Sequence, residues 1–276
     1  MLWPIAITFL AGAAAGGLGA MLGIGGAILL IPVLNVALSV PLFPSQSASL
    51  VTVVGTSMSV SSAPESRRLV NGRLAMVLLT CSVGGALTGV HALTRVISER
   101  DAELVFGSTA FLIALVMFAR LDRRNVLAGD LVDPGPLGGR FTDSDTGREV
   151  AYRVRRLPVA LGGSFVAGIV SSIAGVGGGI VIVPLLNSLC GVPLRAAAAT
   201  SSFMIGVTAV PGIIGHYQLG HFTRAELAAA AVLGVLTGTR TGLWLSHRAA
   251  VRHLKVIMAV LLMLVGGFYI LVGRAG

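Results

Sequence analysis

The chain has 276 residues, of which 55% are hydrophobic and 11% are charged, and its formal net charge is +9. Soluble domains contain roughly 25% charged residues, so this composition excludes a soluble globular protein and indicates one that lipid surrounds. The basic residues lie mostly between apolar runs and have no interleaved aromatic residues, which argues against a nucleic-acid partner.

Apolar runs follow one another from the N-terminus, and each is long enough as a helix to cross a hydrocarbon core of about 30 Å. They predict an all-α integral membrane protein with about eight transmembrane helices. The predicted spans are residues 4–34, 41–63, 73–94, 103–119, 157–186, 194–215, 226–246 and 253–272. Because the first and fifth runs are too long for straight spans, we expect broken or re-entrant helices there.

Residues 120–156 form the only extended polar stretch, and their proline and glycine content predicts loops with a short hairpin. The predicted organisation is a first transmembrane repeat (1–119), a polar connecting loop (120–156) and a second transmembrane repeat (157–276). With eight spans, thirteen Lys and Arg residues fall on one side and six on the other. The positive-inside rule then predicts that both termini and the connecting loop are cytoplasmic.

An internal repeat appears when the sequence is shifted by 152 positions, which aligns residues 16–35 with residues 168–187. The aligned identities include glycine, proline and asparagine, which membrane composition alone does not produce: Gly23/Gly175, Gly25/Gly177, Gly26/Gly178, Pro32/Pro184 and Asn35/Asn187. The chain is therefore interpreted as a duplication with four helices in each half. An even number of crossings per half predicts parallel repeats, whereas a re-entrant segment at the glycines would change the count.

The two glycine motifs are the candidate binding site, because glycine-interrupted segments at matching places in two halves point to transporter sites. Clustered glycines let backbone N–H groups converge, so an anion could bind without a full positive charge nearby. The alternative is that the glycines only allow close helix packing. The candidate residues are Gly23, Gly25, Gly26, Gly175, Gly177, Gly178 and Gly179.

Polar side chains near the motifs in sequence are predicted to complete the site, since hydroxyl and amide groups donate to oxyanions and are less costly to bury than charged groups. The alternative is helix packing, or bonding to the carbonyl one turn earlier. These candidates are Asn35, Ser49, Thr52, Asn187, Thr200, Ser201 and Ser202.

Two ionisable residues inside predicted spans are further candidates. Arg240 is an arginine well inside a span, where a buried guanidinium marks an ion path, although it is near enough to the helix end to reach the interface. His91 occupies the matching position of the first half and could couple proton movement, or could be structural. No carboxylate lies inside a predicted span, so an acidic proton relay is disfavoured.

The paired glycine motifs with their following proline, the AAAATSSFMIGVTAVPG stretch and the G-x-R-x-G pattern at 238–242 resemble the TauE/SafE sulfite exporter family over essentially the whole chain. The resemblance implies a multi-pass inner (plasma) membrane protein that moves sulfur-containing anions such as sulfite or organosulfonates. Ala27 stands where the second motif has Gly179, so the two halves need not contribute equally to the site.

The predicted function is a secondary transporter or exporter for a small anion, with H+ or Na+ as the coupling ion and with a homodimer left open. An anion channel could use the same duplication. A membrane-embedded enzyme is disfavoured because the sequence shows no nucleophile–base pair, paired carboxylates or metal-ligand cluster, and Cys81 and Cys190 lie in apolar context. No cofactor or metal is predicted.

Overall fold

The structure is a computed structural model that describes residues 2–95, 97–119, 133–142, 149–246 and 251–275. In the first half its helices are α1 (Leu2–Leu22), α2 (Ala27–Pro32), α3 (Leu42–Ser62), α4 (Pro64–Arg67), α5 (Gly72–Arg95) and α6 (Glu99–Phe118). An antiparallel hairpin of β1 (Gly139–Thr142) and β2 (Glu149–Tyr152) follows. The second half contains α7 (Leu157–Ala174), α8 (Gly179–Pro184), α9 (Leu194–Gln218), α10 (Ala225–Ser246) and α11 (Val251–Ala275).

The described helices have the length and surface of a membrane protein. Five of them are long and apolar enough to cross a bilayer: Trp3–Leu22, Gly72–Leu93, Leu157–Ala174, Leu194–Gln218 and Ala225–Leu245. Large apolar side chains such as Trp3, Met76 and Leu264 are about 70% exposed, as expected where lipid replaces water. The prediction of an all-α membrane protein is confirmed, and the short hairpin predicted in the connecting loop is present.

Both glycine motifs interrupt their helices. The first break separates α1 from α2 and the second separates α7 from α8. Three glycines in each break, namely Gly23, Gly25 and Gly26 and then Gly175, Gly177 and Gly178, have φ between +72° and +81°. This left-handed region is open to glycine and strained for other residues, so the clustered glycines are what allow the chain to turn here.

The two prolines do not break the chain a second time. Pro32 and Pro184 each end a short helix that continues directly into a π-helical turn, Val33–Ala37 and Leu185–Leu189. The wider turn accommodates the ring and the missing N–H donor without a further break. The glycines rather than the prolines therefore create the interruptions.

Each interruption also reverses the direction of the chain. A Cβ atom added at Gly26 would lie 2.5 Å from the carbonyl oxygen of Ala15, so α2 folds back along α1. In the second half, the amide of Arg155, just before α7, donates to the carbonyl of Cys190 at 2.8 Å, just after the π turn. The α1–α2 and α7–α8 segments are thus helical hairpins that return to the face where they began.

The directions of the long helices follow from their close contacts. Helices α1 and α10 run in the same direction, because Gly12 lies against Ala231 and Gly16 against Val235. Glycine contacts of the same kind show that α5 and α7 also run in the same direction. Helices α3 and α9 are antiparallel, since Leu50 lies against Gly212 near one end and Ser57 against Gly206 near the other. Helices α6 and α11 are also antiparallel, with Gly107 against Ile270 and Phe111 against Gly266.

The described ends of the chain lie at one face and the strand hairpin at the other. The β1–β2 hairpin and the starts of α5, α7 and α9 share one face, which we call the hairpin face. The start of α1, the end of α11 and the connections α5–α6 and α9–α10 lie at the opposite face. This arrangement differs from the predicted eight-span arrangement, because each helical hairpin removes one crossing from its half.

Glycine packing between α5 and α7 gives the first test. A Cβ atom at Gly168 would clash with the carbonyl oxygen of Ser82, whereas one at Gly162 on the same helix meets nothing within 4 Å. We expect Gly168→Ala to destabilise the protein by about 1–3 kcal/mol through overpacking. Gly162→Ala should be neutral, or stabilising by up to about 1 kcal/mol.

Thermal unfolding in detergent measures both variants. Equal melting temperatures for Gly168→Ala and Gly162→Ala would contradict the close α5–α7 contact.

Candidate functional site

The two glycine motifs meet at the middle of the protein. A Cβ atom added at Gly25 would lie 2.8 Å from Cδ1 of Ile205 and 3.3 Å from Val53, and one added at Gly177 would lie 2.5 Å from Cγ1 of Val53. Val53 and Ile205 stand at the midpoints of α3 and α9. Because α3 and α9 are antiparallel and pack along their length, these contacts place both motifs near mid-depth.

The contacts of one motif mirror those of the other. Gly23 packs on Ala198 of α9, and Gly175 packs on Gln46 of α3. Adding 152 to 23 and to 46 gives 175 and 198, so each motif lies against the equivalent helix of the opposite half. The motifs also touch each other, since a Cβ atom at Gly179 would lie 2.8 Å from the carbonyl oxygen of Gly23.

Backbone amides at both motifs lack a backbone acceptor. The amides of Gly25, Gly26, Gly177 and Gly178 donate to no backbone carbonyl in the described part of the chain. The carbonyl of Gly23, in contrast, accepts the Ser201 hydroxyl at 3.0 Å, and that of Gly25 accepts the Thr56 hydroxyl at 3.3 Å. Buried amides without acceptors carry partial positive charge, so this region favours an anion.

Buried side chains without partners surround the motifs. Neither the amide nitrogen nor the amide oxygen of Gln46 has a hydrogen-bond partner, although the side chain is fully buried against Gly175. The hydroxyls of Ser49 and Ser202 are likewise buried and unpartnered. Each lies within one helical turn of a motif contact, because Ser49 is three residues after Gln46 and Ser202 three before Ile205.

Leaving such groups unpaired costs about 1–3 kcal/mol each, so their shared location needs an explanation. An oxyanion bound at the second motif would satisfy the amide N–H of Gln46 and the hydroxyl of Ser49.

Several residues predicted for the site are used elsewhere. The Asn35 side chain donates to the carbonyl of Val40 at 3.0 Å, and the Asn187 side chain donates to the carbonyl of Val192 at 2.9 Å, so both asparagines secure the ends of the π turns. The Thr52 hydroxyl donates to the carbonyl of Ser49, as the packing alternative predicts. The Thr200 hydroxyl accepts the amide of Asn71 at 3.0 Å.

The two predicted ionisable residues lie away from the motifs. Arg240 is on the exposed face of α10 and His91 on the exposed face of α5, whereas the glycine motifs are buried. These side chains therefore face lipid or the membrane interface rather than the helix interruptions. The sequence prediction missed Gln46, whose signal is that it is the one side-chain amide within the apolar run 41–63.

A basic pocket opens at the hairpin face. Its volume is about 220 Å³, and its lining includes Arg68, Arg73, Arg140, Asn71 and Tyr152. Asn71 caps α5 through its side-chain oxygen, which accepts the amide of Leu74, and its nitrogen donates to Tyr152 and to the carbonyl of Leu137. Burial raises the pKa of Tyr152, against the effect of the Asn71 hydrogen bond, so the phenol stays protonated.

Metal ligands are not grouped in the described residues. No set of three or more His, Cys, Asp or Glu side chains there could hold an ion, and both Cys81 and Cys190 are free thiols. The chemistry of the candidate site is therefore that of neutral hydrogen-bond donors.

Comparison with known proteins gives a full-length match. The sequence profile of a family described as Sulfite exporter TauE/SafE matches residues 8–269. The chain is 25% identical over 262 residues to the Probable membrane transporter protein YunE of Bacillus subtilis (strain 168), covering 92% of this chain and 93% of that protein. It is 25% identical over 115 residues to the Probable membrane transporter protein MJ0441 of Methanocaldococcus jannaschii, covering 38% and 42%. No solved structure matches the chain.

The unpaired amide of Gln46 gives a test of the site's composition. In the unliganded protein we expect Gln46→Leu to leave stability unchanged or to raise it by about 1 kcal/mol, because the substitution removes a buried polar group without breaking a hydrogen bond. Asn71→Leu is the matched control, and it should destabilise by about 2–4 kcal/mol, since that buried side chain makes three hydrogen bonds.

Thermal unfolding of both variants in anion-free buffer decides the matter. If Gln46→Leu lowers the melting temperature as much as Asn71→Leu does, the Gln46 side chain has partners and the site is not as described.

Proposed function

The chain belongs to the TauE/SafE sulfite exporter family, and from this membership we propose that it is a membrane transporter that carries a small sulfur-containing anion, such as sulfite or an organosulfonate, as a secondary transporter. Both the family and the relatives are named for transport rather than for catalysis. The anion would bind between the two glycine motifs.

One observation carries the proposal: unpaired donors line the contacts of both motifs with α3 and α9. Four backbone amides, the Gln46 side chain and the hydroxyls of Ser49 and Ser202 are all buried there. The pyramidal or tetrahedral oxygens of a sulfur oxyanion accept several hydrogen bonds at once, which suits such a set of donors.

Because these donors are neutral, they favour an anion that carries a charge of minus one. A dianion would leave a full uncompensated charge in a low-dielectric interior, which costs several kcal/mol more than a paired one. We therefore propose that hydrogen sulfite and monoanionic sulfonates are carried in preference to sulfate.

The basic pocket at the hairpin face supports an anion over a cation. Arg68, Arg73 and Arg140 line it, and Asn71 in its wall is hydrogen-bonded to Thr200, next to the Ser201 that holds Gly23. Positive potential at the mouth of a path raises the local concentration of anions.

We propose that the two halves are inverted repeats, with eight helical segments arranged as six full crossings and two re-entrant hairpins. The mirrored contacts of the motifs and the antiparallel pairs α3–α9 and α6–α11 support this arrangement, as they would relate the halves by an axis in the membrane plane. Inverted halves can open the same site to either face by rocking.

Tight packing favours such rocking over a permanent pore. A Cβ atom at Gly177 would already lie 2.5 Å from Val53, so the site holds no spare volume in this conformation. An anion requires the halves to separate, and a carrier that opens to one face at a time does this without a continuous leak. An anion channel is the alternative, and it would show neither saturation nor counterflow.

The distribution of basic residues supports an orientation in an inner (plasma) membrane with the hairpin face in the cytoplasm. By sequence position, fifteen of the 20 Lys and Arg residues fall in connections and helix ends on that side, and four fall on the other. This asymmetry is larger than that of the predicted eight-span arrangement, and both termini then lie outside.

Transport by variants tests the site. We expect Gln46→Leu and Ser202→Ala to reduce uptake of radiolabelled sulfite or methanesulfonate into proteoliposomes at least tenfold, because each removes an unpaired donor, worth roughly 1.5–3 kcal/mol, along the path of the anion past the two motifs. Ser164→Ala is the control, since that hydroxyl is also buried and unpartnered but lies three helical turns before Gly175 on α7. Wild-type rates in the Gln46 and Ser202 variants would refute the site.

Accessibility of single cysteines tests the orientation. In a variant without Cys81 and Cys190, a membrane-impermeant thiol reagent added to intact cells should label Arg224→Cys, in the α9–α10 connection, and should not label Pro136→Cys, beside the hairpin. Labelling of Pro136→Cys alone would show the opposite orientation, and labelling of both would contradict the placement of these segments on different faces.

A further inference from the structure

Two histidines, one buried and one partly exposed, form a pair at the face opposite the hairpin. His216 lies near the end of α9 and is fully buried, and His221 lies in the α9–α10 connection. Their Nδ1 atoms are 2.9 Å apart, and the ring centroids are 5.1 Å apart. No function described above uses this pair.

The geometry of the pair fixes how many protons it can hold. A hydrogen bond between two Nδ1 atoms requires one ring to donate and the other to accept. The neutral pair satisfies this condition, and so does a pair with one added proton, in which an imidazolium donates to an imidazole. A second added proton would place two donors face to face and break the bond, so the intact pair binds one proton and carries at most one positive charge.

Glu99 is the charged group that faces the pair. The ring of Phe43 stacks on His221 with a centroid distance of 4.6 Å, and the Phe43 amide donates to the Glu99 carboxylate at 3.4 Å. Helices α3 and α7, which also pack here, contain no ionisable residue. Helix α5 places Val90 against Gly215 and has His91 on its exposed face. A proton on the pair would therefore be stabilised by Glu99 and unopposed by α3 or α7.

The pair is joined to the anion site on two sides. The Ser47 hydroxyl donates to the carbonyl of His221 at 3.1 Å, and the next residue along α3 is Gln46. On the other side, Ser172, three residues before Gly175, lies against Gly212, one helical turn before His216. The same helical turns thus carry both the histidine contacts and the contacts of the second glycine motif.

We propose that the His216–His221 pair is the proton-binding site of the transporter, and that a proton on the pair and an anion at the glycine motifs favour each other's binding. The proposal rests on the anion transport proposed above. A positive charge within about a turn of the unpaired donors attracts the anion through a low-dielectric interior. Linkage makes the effect reciprocal, so the bound anion raises the affinity of the pair for its proton. Anion and proton then cross together.

The surroundings of His221 set the direction of the pH dependence. Burial lowers the pKa of His221 below its ordinary value, and the Glu99 carboxylate opposes that shift. The pair therefore binds its proton at a lower pH than an exposed histidine does. Anion uptake should rise as the pH at that face falls. Removing the Glu99 charge should move this rise to still lower pH.

The test uses the full-length protein in liposomes that contain a trapped pH indicator. Addition of methanesulfonate, which has no proton of its own to release, to the wild type should acidify the lumen in proportion to uptake of the radiolabelled anion. We expect His216→Gln and His221→Gln to reduce anion-driven acidification at least tenfold while retaining anion counterflow at equal pH on both sides. Glu99→Gln should shift the pH profile of uptake to lower pH.

Matched variants separate the outcomes. His91→Gln replaces a histidine on the exposed face of α5 and should behave as the wild type. Where His216→Gln does not fold, His221→Gln and Glu99→Gln carry the test, because both positions are more exposed. Anion uptake with full acidification in the His221 variant would overturn the proton site alone. Absence of any anion uptake or counterflow by the wild type would instead overturn the proposed function.

Discussion

A backbone amide that leaves a helix inside a bilayer must find an acceptor, and this constraint organises the whole molecule. Lipid offers no acceptor, so an interrupted helix survives only where protein, water or a ligand meets its freed groups. Here the hydroxyls of Ser201 and Thr56 meet the carbonyls of Gly23 and Gly25, while amides of the two glycine motifs remain available. These amides, with the unpaired side-chain donors beside them, are the basis of the proposed preference for negative charge.

The rest of the packing serves to hold the two interruptions together. Glycines at the contacts between α1 and α10 and between α5 and α7 let those backbones approach closely, so each helical hairpin is fixed against a helix of the other half. Helices α3 and α9 then cross between the hairpins and bring Val53 and Ile205 against the motifs. Since most of these contacts join the first half to the second, a relative movement of the halves changes the site directly.

The sequence predicted the membrane class, the position of both interruptions and the involvement of glycine, because glycine clusters and apolar runs are local signals. It predicted Asn35, Asn187 and Thr200 as ligands, but these side chains bond to nearby backbone, which spacing alone does not reveal. The number of crossings differs from the predicted one for a related reason: a hairpin and a full crossing have the same apolar length. Gln46 has a local signal, as the one side-chain amide in its apolar run, but its contact with Gly175 and the burial of His216 depend on packing between distant helices.

The central claim, that an anion binds between the glycine motifs, is tested most directly by locating one. Selenite is a close analogue of sulfite, and its selenium gives an anomalous signal in crystals of the protein grown with it. The predicted peak lies within hydrogen-bonding distance of the amides of Gly25 or Gly26 and of Gly177 or Gly178, beside Gln46. A peak confined to the basic pocket of Arg68, Arg73 and Arg140, with none between the motifs at saturating selenite, would contradict the claim.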